Sequence, residues 1–192
     1  VGSEMCIRDR CSLTLQREDL SIPNLIASGL FGDGAAAAVV VGNGRPAAGP
    51  EIVATRSVFY PDSEEVMGWD VTKDGFRIVL SADVPEVVRK FLRRDVDTFL
   101  ADQGLTRDDV TVWVSHPGGP KVLEAMQEAL ELPEAALETT WRSLREVGNL
   151  SSTSVLLVLE ETLDRRRPDA GTYGMMLAMG PGFCSELVLL RW

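Results

Sequence analysis

The chain has 192 residues, 45% hydrophobic and 25% charged, the composition of a globular protein with a sizeable core. Its net charge of −10 argues against nucleic acid as the main partner, because phosphate binding needs clustered Lys and Arg. No apolar run approaches the roughly 20 residues that span a bilayer. Three scattered cysteines form no disulfide framework, and one histidine excludes most zinc sites. We therefore expect a cytoplasmic protein without a metal or a membrane partner.

The first ten residues, VGSEMCIRDR, show neither helical nor strand periodicity, and the composition changes abruptly at Cys11. We interpret residues 1–10 as a translation artefact or truncation scar and leave them out of the predicted fold. The alternation of Cys11–Gln16 predicts a half-buried strand. Ile22–Leu30 is predicted as a short helix, and the Ala- and Val-rich Leu30–Gly42 as a fully buried strand.

A run of turn-forming residues, NGRPAAGP, occupies positions 43–50 and indicates a boundary between residues 11–46 and 47–192. Beyond it, strands and helices alternate, which predicts an α/β fold with a mixed sheet. The predicted strands are Glu51–Tyr60, Phe76–Ser81, Val110–Ser115, Tyr173–Met179 and Glu186–Arg191. The predicted helices are one that Asp83 opens and Gly104 ends, then Pro120–Leu130, then Asn149–Arg165.

The single histidine, His116, lies where a short apolar strand ends, in the segment SHPGGPK. Pro117 keeps the chain extended there, and Gly118 and Gly119 allow a ligand to approach the backbone closely. Ligands of α/β folds commonly bind at the carboxyl ends of strands. A histidine that is merely packed and hydrogen-bonded in a loop explains the same pattern equally well.

Asn149 follows a glycine and precedes a predicted helix that begins with small Ser and Thr residues. Asparagine is a favoured residue at helix starts, so local rules favour a capping role. The alternative is that its amide projects from the helix start into a pocket. Similarly, the segment Gly180-Pro181-Gly182 is either a plain turn or the rigid wall of a cavity.

Four segments in this order and spacing resemble the C-terminal part of a chalcone/stilbene synthase, a type III polyketide synthase of the bacterial kind. They are LFGDGAAAAVVVG, HPGGPKVLEAM, EVGNLSSTSVLLVLEE and MGPGFCSELVLL. The resemblance covers residues 11–192. It implies a thiolase-like fold, with residues 11–46 as the end of the N-terminal half and 47–192 as the C-terminal domain. It also implies a homodimer in the full-length protein.

The family uses a Cys–His–Asn triad, and the resemblance assigns its histidine to His116 and its asparagine to Asn149. The nucleophilic cysteine of the family lies upstream of the matching region. Cys6 lies in the leader, Cys11 matches a pocket-lining position, and Cys184 lies in the last hairpin. We therefore expect a fragment without its nucleophile, inactive by itself.

The resemblance also implies substrate-binding positions. Phe31 matches an aromatic gatekeeper beside the triad. Ile78 matches a second gatekeeper that is Phe in plant enzymes, and its smaller side chain would widen the passage for an aliphatic starter. The remaining implied substrate-binding residues are Cys11, Thr14, Gly118, Gly119, Ser151, Met179 and the turn Gly180-Pro181-Gly182, with Met179 in place of the family's Phe.

The resemblance thus implies an acyltransferase that condenses malonyl-CoA onto an acyl-CoA starter and uses CoA thioesters as substrates with no cofactor. Two alternatives remain open at this point. One is a ketoacyl synthase that takes malonate from a carrier protein, which the acidic balance and HPGGP disfavour. The other is a catalytically silent thiolase-fold partner that only dimerises.

Overall fold

The computed structural model describes residues 2–42, 44–45, 48–73 and 75–192, with the side chains described from residue 5 onward. The predicted domain boundary between Pro46 and Ala47 lies outside the described residues. Within the described part of the chain, the strands and helices form a mixed α/β fold, as predicted. None of its helices combines the length and apolarity that crossing a bilayer requires.

The main sheet has four strands, in the order β3 (Glu51–Phe59), β8 (Cys184–Arg191), β7 (Tyr173–Gly180) and β6 (Val110–Ser115). Strand β6 is parallel to β7, and the other pairs are antiparallel. All four strands were predicted from alternation and apolar runs, and their ends shift by at most two residues. The sheet is therefore mixed, as the sequence predicts.

Helices α2 (Val84–Ala101) and α3 (Pro120–Leu130) cover one face of this sheet. Apolar residues at helical spacing form one buried stripe on α2, and these pack against α3 and against alternate residues of β7 and β8. The core residues of this layer include Val88, Leu92, Val96, Leu123, Met126, Met175 and Leu187.

Helix α5 (Thr153–Arg165) lies on the opposite face of the sheet, where Val155 and Val158 pack against Val114. Its other side packs against a second, two-stranded sheet of β1 (Gly2–Arg10) and β2 (Asp33–Val41). The helix is thus held between two sheets. Helix α4 (Glu138–Val147), which the sequence analysis missed, precedes it.

The N-terminal region differs from its prediction in three ways. Residues 2–10 form β1, although the sequence analysis leaves them out of the fold, because antiparallel backbone pairing requires no side-chain periodicity. Cys11–Thr14 is a 3₁₀ helix rather than a strand, since Ser12 donates to Asp33 and Thr14 bonds back to the Cys11 carbonyl. Strand β2 alternates between exposed and half-buried residues and is not fully buried, because α5 covers one of its faces.

Helix α1 (Ile22–Leu30) forms as predicted. It packs against β5 (Gly75–Leu80), which pairs with the unpredicted strand β4 (Met67–Thr72) in a hairpin. The 3₁₀ helix at 11–14 also contacts β5. Two of these elements reach the end of the main sheet where β6 and β7 terminate. Gly182 N, just beyond β7, donates to the Met67 carbonyl of β4. A Cβ on Gly119, just beyond β6, would lie 3.7 Å from Leu30 Cδ2 of α1.

Candidate active site

His116 leaves the main sheet at the carboxyl end of β6. Its backbone N–H still donates to the Leu177 carbonyl of β7 (2.9 Å), so its position follows the register of the two parallel strands. The chain then turns sharply, because the Gly118 N–H donates to the His116 carbonyl (2.9 Å). A Cβ on Gly118 would lie 3.6 Å from the His116 ring, at ordinary van der Waals distance, so Gly118 lies directly beside the imidazole.

Asn149 is held by backbone bonds to the end of α1. Its N–H donates to the Leu30 carbonyl (3.0 Å), and its own carbonyl accepts from Gly32 N (2.9 Å), so it pairs with Phe31 as an isolated parallel bridge. This pairing explains why α5 begins at Thr153 and not at Asn149 as predicted. Asn149 therefore caps no helix directly; its position depends on a segment more than a hundred residues away in sequence.

The Asn149 carboxamide points to the loop that follows His116. Its Oδ1 accepts from the Ser151 backbone N–H (2.9 Å), and since a backbone N–H can only donate, this bond identifies the oxygen. Its Nδ2 donates to the Gly118 carbonyl (3.1 Å). An amide nitrogen carries two hydrogens, and the second has no partner within the described residues. One N–H donor is thus available next to the His116 loop.

Burial lowers the pKa of His116 to about 4, and the carboxylate of Asp9 opposes this effect more weakly. The half-buried ring is therefore neutral near pH 7, and its Nδ1 is buried without a hydrogen-bond partner in the described part of the chain. A neutral imidazole has one N–H donor and one acceptor nitrogen. A charged imidazolium at this position would require a nearby anion such as a thiolate.

Several predicted site residues lie together around these two side chains. Phe31 pairs with Asn149, Ser151 bonds to its amide, and Gly118 joins Asn149 to His116. A Cβ on Gly119 would lie 3.7 Å from Leu30 Cδ2. The segments that carry these residues are far apart in sequence, so the fold, and not local structure, assembles this cluster.

Other predicted residues lie in neighbouring elements. Cys11 and Thr14 belong to the 3₁₀ helix that packs on β5, the strand that carries Ile78 opposite Trp69. Among the described residues, no hydrogen bond links these three positions to His116 or Asn149. Strand β7 ends with Met179 and Gly180, at the same end of the sheet as His116, because β6 and β7 are parallel.

Pro181 and Gly182 form the β7–β8 turn and line a cavity of about 530 Å³. His116 and Asn149 do not line this cavity. Its other walls are formed by the loop before β4 and by the β4–β5 hairpin; they are Glu64, Glu65, Gly68, Trp69, Asp70 and Val79.

Neither half-buried cysteine has the character of a nucleophile. Burial raises the pKa of the Cys11 thiol, and the carboxylates of Asp9 and Asp33 raise it further. Burial also raises the pKa of Cys184. Because only the thiolate attacks carbonyl carbon readily, both side chains are poor nucleophiles near neutral pH. Cys6 is exposed.

Sequence reasoning missed Leu30, whose carbonyl fixes Asn149, and Leu177, whose carbonyl fixes His116. Both act through backbone atoms, which leave no side-chain signature. No group of three His, Cys, Asp or Glu side chains within the described residues is arranged to hold a metal ion.

The family model "Chalcone and stilbene synthases, C-terminal domain" matches residues 51–192. The chain belongs to this family. A 1,3,6,8-tetrahydroxynaphthalene synthase of Streptomyces peucetius subsp. caesius is 58% identical over 185 residues, which cover 95% of this chain and 49% of the relative. A 3,5-dihydroxyphenylacetyl-CoA synthase of Amycolatopsis orientalis is 36% identical over 177 residues, covering 91% of this chain and 48% of the relative.

The crystal structure of 1,3,6,8-tetrahydroxynaphthalene synthase from Streptomyces coelicolor A3(2), a bacterial type III polyketide synthase, is 31% identical. It superposes with a TM-score of 0.93, covering 100% of this chain and 54% of that one. The family and the thiolase-like fold are therefore as the sequence predicts. The chain spans about half the length of the relatives that it matches.

Proposed function

We propose that the full-length protein containing this chain condenses malonyl-CoA units onto an acyl-CoA starter, and that His116 and Asn149 are catalytic. The observation that carries this proposal is the bond from Asn149 Nδ2 to the Gly118 carbonyl, two residues from His116. This bond places the amide N–H donors of Asn149 next to the loop that follows His116, although the two residues are 33 positions apart in sequence. Two adjacent donors suit a developing oxyanion better than they suit a structural role.

The proposed reaction balances with CoA thioesters alone. A cysteine thiolate attacks the carbonyl carbon of the starter thioester and forms a new C–S bond. The C–S bond between that carbon and CoA breaks, and CoA leaves as a thiol after taking a proton. The carbon–carbon bond of malonyl-CoA then breaks and carbon dioxide leaves, so the bonding pair forms an enolate. The enolate carbon attacks the enzyme-bound acyl carbonyl, and the cysteine sulfur departs. No electrons enter or leave, so the reaction needs no redox cofactor, and we propose that it runs on CoA thioesters without a cofactor.

His116 and Asn149 would stabilise the enolate, whose negative charge lies on the thioester oxygen. The neutral imidazole can donate one N–H, and Asn149 Nδ2 has one hydrogen beyond the bond to Gly118. Asparagine cannot lose its donor by titration. Removing one such donor typically raises the barrier by roughly 2.7–4 kcal/mol, or about 10²–10³-fold in rate.

The nucleophilic cysteine would come from a part of the protein outside these 192 residues. The raised thiol pKa values of Cys11 and Cys184 support this assignment. By itself the chain would then be inactive, as the sequence analysis expects. We propose that the protein acts in the cytoplasm, where thiols stay reduced.

Exposed apolar side chains support an interaction surface on this chain. We propose that the rest of the full-length protein and the second subunit of a homodimer cover it. Residues 13–26 carry several of them, and Leu13, Leu20 and Ile22 are each more than 70% exposed. Several exposed apolar side chains within one short segment are typical of an interaction surface.

We further propose that the starter acyl chain passes between Phe31 and Ile78 and that Thr14, Ser151 and Met179 line the cavity beyond. Phe31 supports this by pairing with Asn149, and Ile78 by lying on the strand that faces α1. The Ile78 side chain is smaller than the Phe of plant enzymes, which favours an aliphatic starter at this passage. The proposed substrate-binding set is completed by Cys11, Gly118, Gly119 and the turn Gly180-Pro181-Gly182.

The test is release of labelled carbon dioxide from malonyl-CoA by the full-length protein. His116→Ala and Asn149→Ala should each lower the rate by about 10²–10³-fold. Asn24→Ala is the matched control, since Asn24 is also a buried asparagine whose Nδ2 donates to backbone carbonyls, but in α1. Undiminished decarboxylation in both site variants would contradict the assignment, as would an equal loss in the Asn24 control.

A further inference from the structure

Three hydrogen bonds hold the β7–β8 turn from outside. Gly182 N donates to the Met67 carbonyl (3.0 Å), and Tyr60 N donates to the Phe183 carbonyl (3.0 Å). The third is different, because Phe183 N donates to a side chain, the hydroxyl of Ser63 (2.9 Å). Of these three tethers, it is the one that a change of side chain can remove.

The Ser63 hydroxyl is buried and engaged on both sides. It accepts from Phe183 N and donates to the Tyr60 carbonyl in the loop after β3. It therefore bridges that loop to the turn. Removing the hydroxyl leaves a buried N–H without its acceptor, which favours displacement of the turn toward another partner.

The Phe183 side chain links the β7–β8 turn to the apolar side chains packed around it. Its side chain is fully buried, with its ring centroid 5.8 Å from that of Tyr60. Val122 and Met179 both pack against the cluster of Tyr60, Val84 and Phe183. A shift of Phe183 would therefore displace the Met179 side chain, because Met179 packs closely against the cluster that contains Phe183.

The turn also lies at the same end of the main sheet as the His116 loop, because β6 and β7 are parallel. Ser115 pairs with Leu177, and Gly180 lies three residues further along β7, about 10 Å at the rise of a strand. Val122 connects the two regions, since its Cγ1 would be 3.6 Å from a Cβ on Gly118. The turn thus lies beyond the carboxyl end of β7, at the same end of the sheet as the carboxyl end of β6.

We infer that Ser63 is a positioning residue that fixes the β7–β8 turn and thereby the shape of the space in which the growing acyl chain lies. The inference rests on the proposed function, in which the chain grows from the side of His116. Ser63 touches neither His116 nor Asn149 through a hydrogen bond within the described residues. Its removal should therefore change which products form and leave decarboxylation intact.

The experiment compares Ser63→Ala with Ser57→Ala in the full-length protein. Ser57 Oγ donates to Glu186 on the exposed surface, between β3 and β8, and Ser57 has no hydrogen bond to the turn among the described residues. Three quantities are measured: labelled carbon dioxide released from malonyl-CoA, the distribution of product chain lengths by mass spectrometry, and the exchange rate of the Phe183 amide hydrogen.

Ser63→Ala should accelerate exchange of the Phe183 amide by roughly fivefold or more. Decarboxylation should stay within about twofold, as expected for a residue without a direct catalytic contact. The product distribution should shift toward other chain lengths, and Ser57→Ala should change none of the three quantities.

An unchanged product distribution or an unchanged Phe183 exchange rate would overturn the inference. So would a parallel fall in decarboxylation and total product, which would indicate general damage. Absence of decarboxylation in the unmodified protein would instead refute the proposed function.

Discussion

Gly148 positions Asn149 through a conformation that other residues avoid. Its φ of 80° and ψ of −157° are in a region that is essentially restricted to glycine. A Cβ at this position would lie 3.0 Å from the Leu30 carbonyl oxygen, the acceptor for Asn149 N–H. Gly148→Ala should therefore strain the backbone and weaken the bond that holds Asn149.

The expected loss is the sum of two effects. Backbone strain of this kind costs about 1–3 kcal/mol, and a weakened hydrogen bond about 1 kcal/mol, so unfolding free energy should fall by about 2–4 kcal/mol. Gly104→Ala provides the comparison, because Gly104 also has a positive φ (71°) but nothing within 4 Å of its Cβ position. That variant should lose only about 1–2 kcal/mol.

Urea unfolding of the 192-residue chain measures both variants, and carbon dioxide release measures the same changes in the full-length protein. Gly148→Ala should be the less stable variant, and it should lose decarboxylation because Asn149 moves away from Gly118. Equal destabilisation by the two substitutions, together with undiminished decarboxylation in Gly148→Ala, would refute the reasoning.

Two further predictions concern buried polar groups. The single histidine gives one imidazole signal in an NMR titration of the chain, and its midpoint should lie near pH 4. An unfolded imidazole binds its proton near pH 6.5, so the free energy of unfolding should decrease as the pH falls from about 6.5 to 4. His116→Gln should remove this pH-dependent loss of stability. A titration midpoint at 6.5 would disprove the burial argument. Tyr60→Phe removes the hydroxyl that donates to the buried Asp95 carboxylate (2.7 Å) and should cost about 1–3 kcal/mol in a thermal or urea melt. Tyr173→Phe, whose hydroxyl has no hydrogen bond among the described residues, should change little, and equal effects would contradict the prediction.

Hydrophobic periodicity correctly predicted the helices and strands whose structure follows from the local spacing of apolar side chains. Helix α3 and strand β6 match their predicted bounds, because an apolar stripe or a short apolar run depends on local spacing alone. The N-terminal elements were harder. Cys11–Thr14 alternates like a strand, but side-chain bonds from Ser12 and Thr14 favour a 3₁₀ turn.

The candidate residues His116 and Asn149 could be named from the sequence, but their proximity could not be derived from local rules. Local rules give equal weight to a loop histidine and favour a capping asparagine. Both readings concern a few neighbouring residues, whereas the actual position of Asn149 depends on Leu30 and Gly32. Proximity across more than a hundred residues is a property of packing.

The sequence by itself determined the class of the fold, most strands and helices of the main sheet, and the family, because these follow from spacing and from motifs written in consecutive residues. The tertiary structure decided that Asn149 turns its amide to Gly118, that burial keeps His116 neutral, and that Ser63 holds the β7–β8 turn. Hydrogen bonds and desolvation act between atoms that meet only after the chain has folded, so no local pattern encodes them.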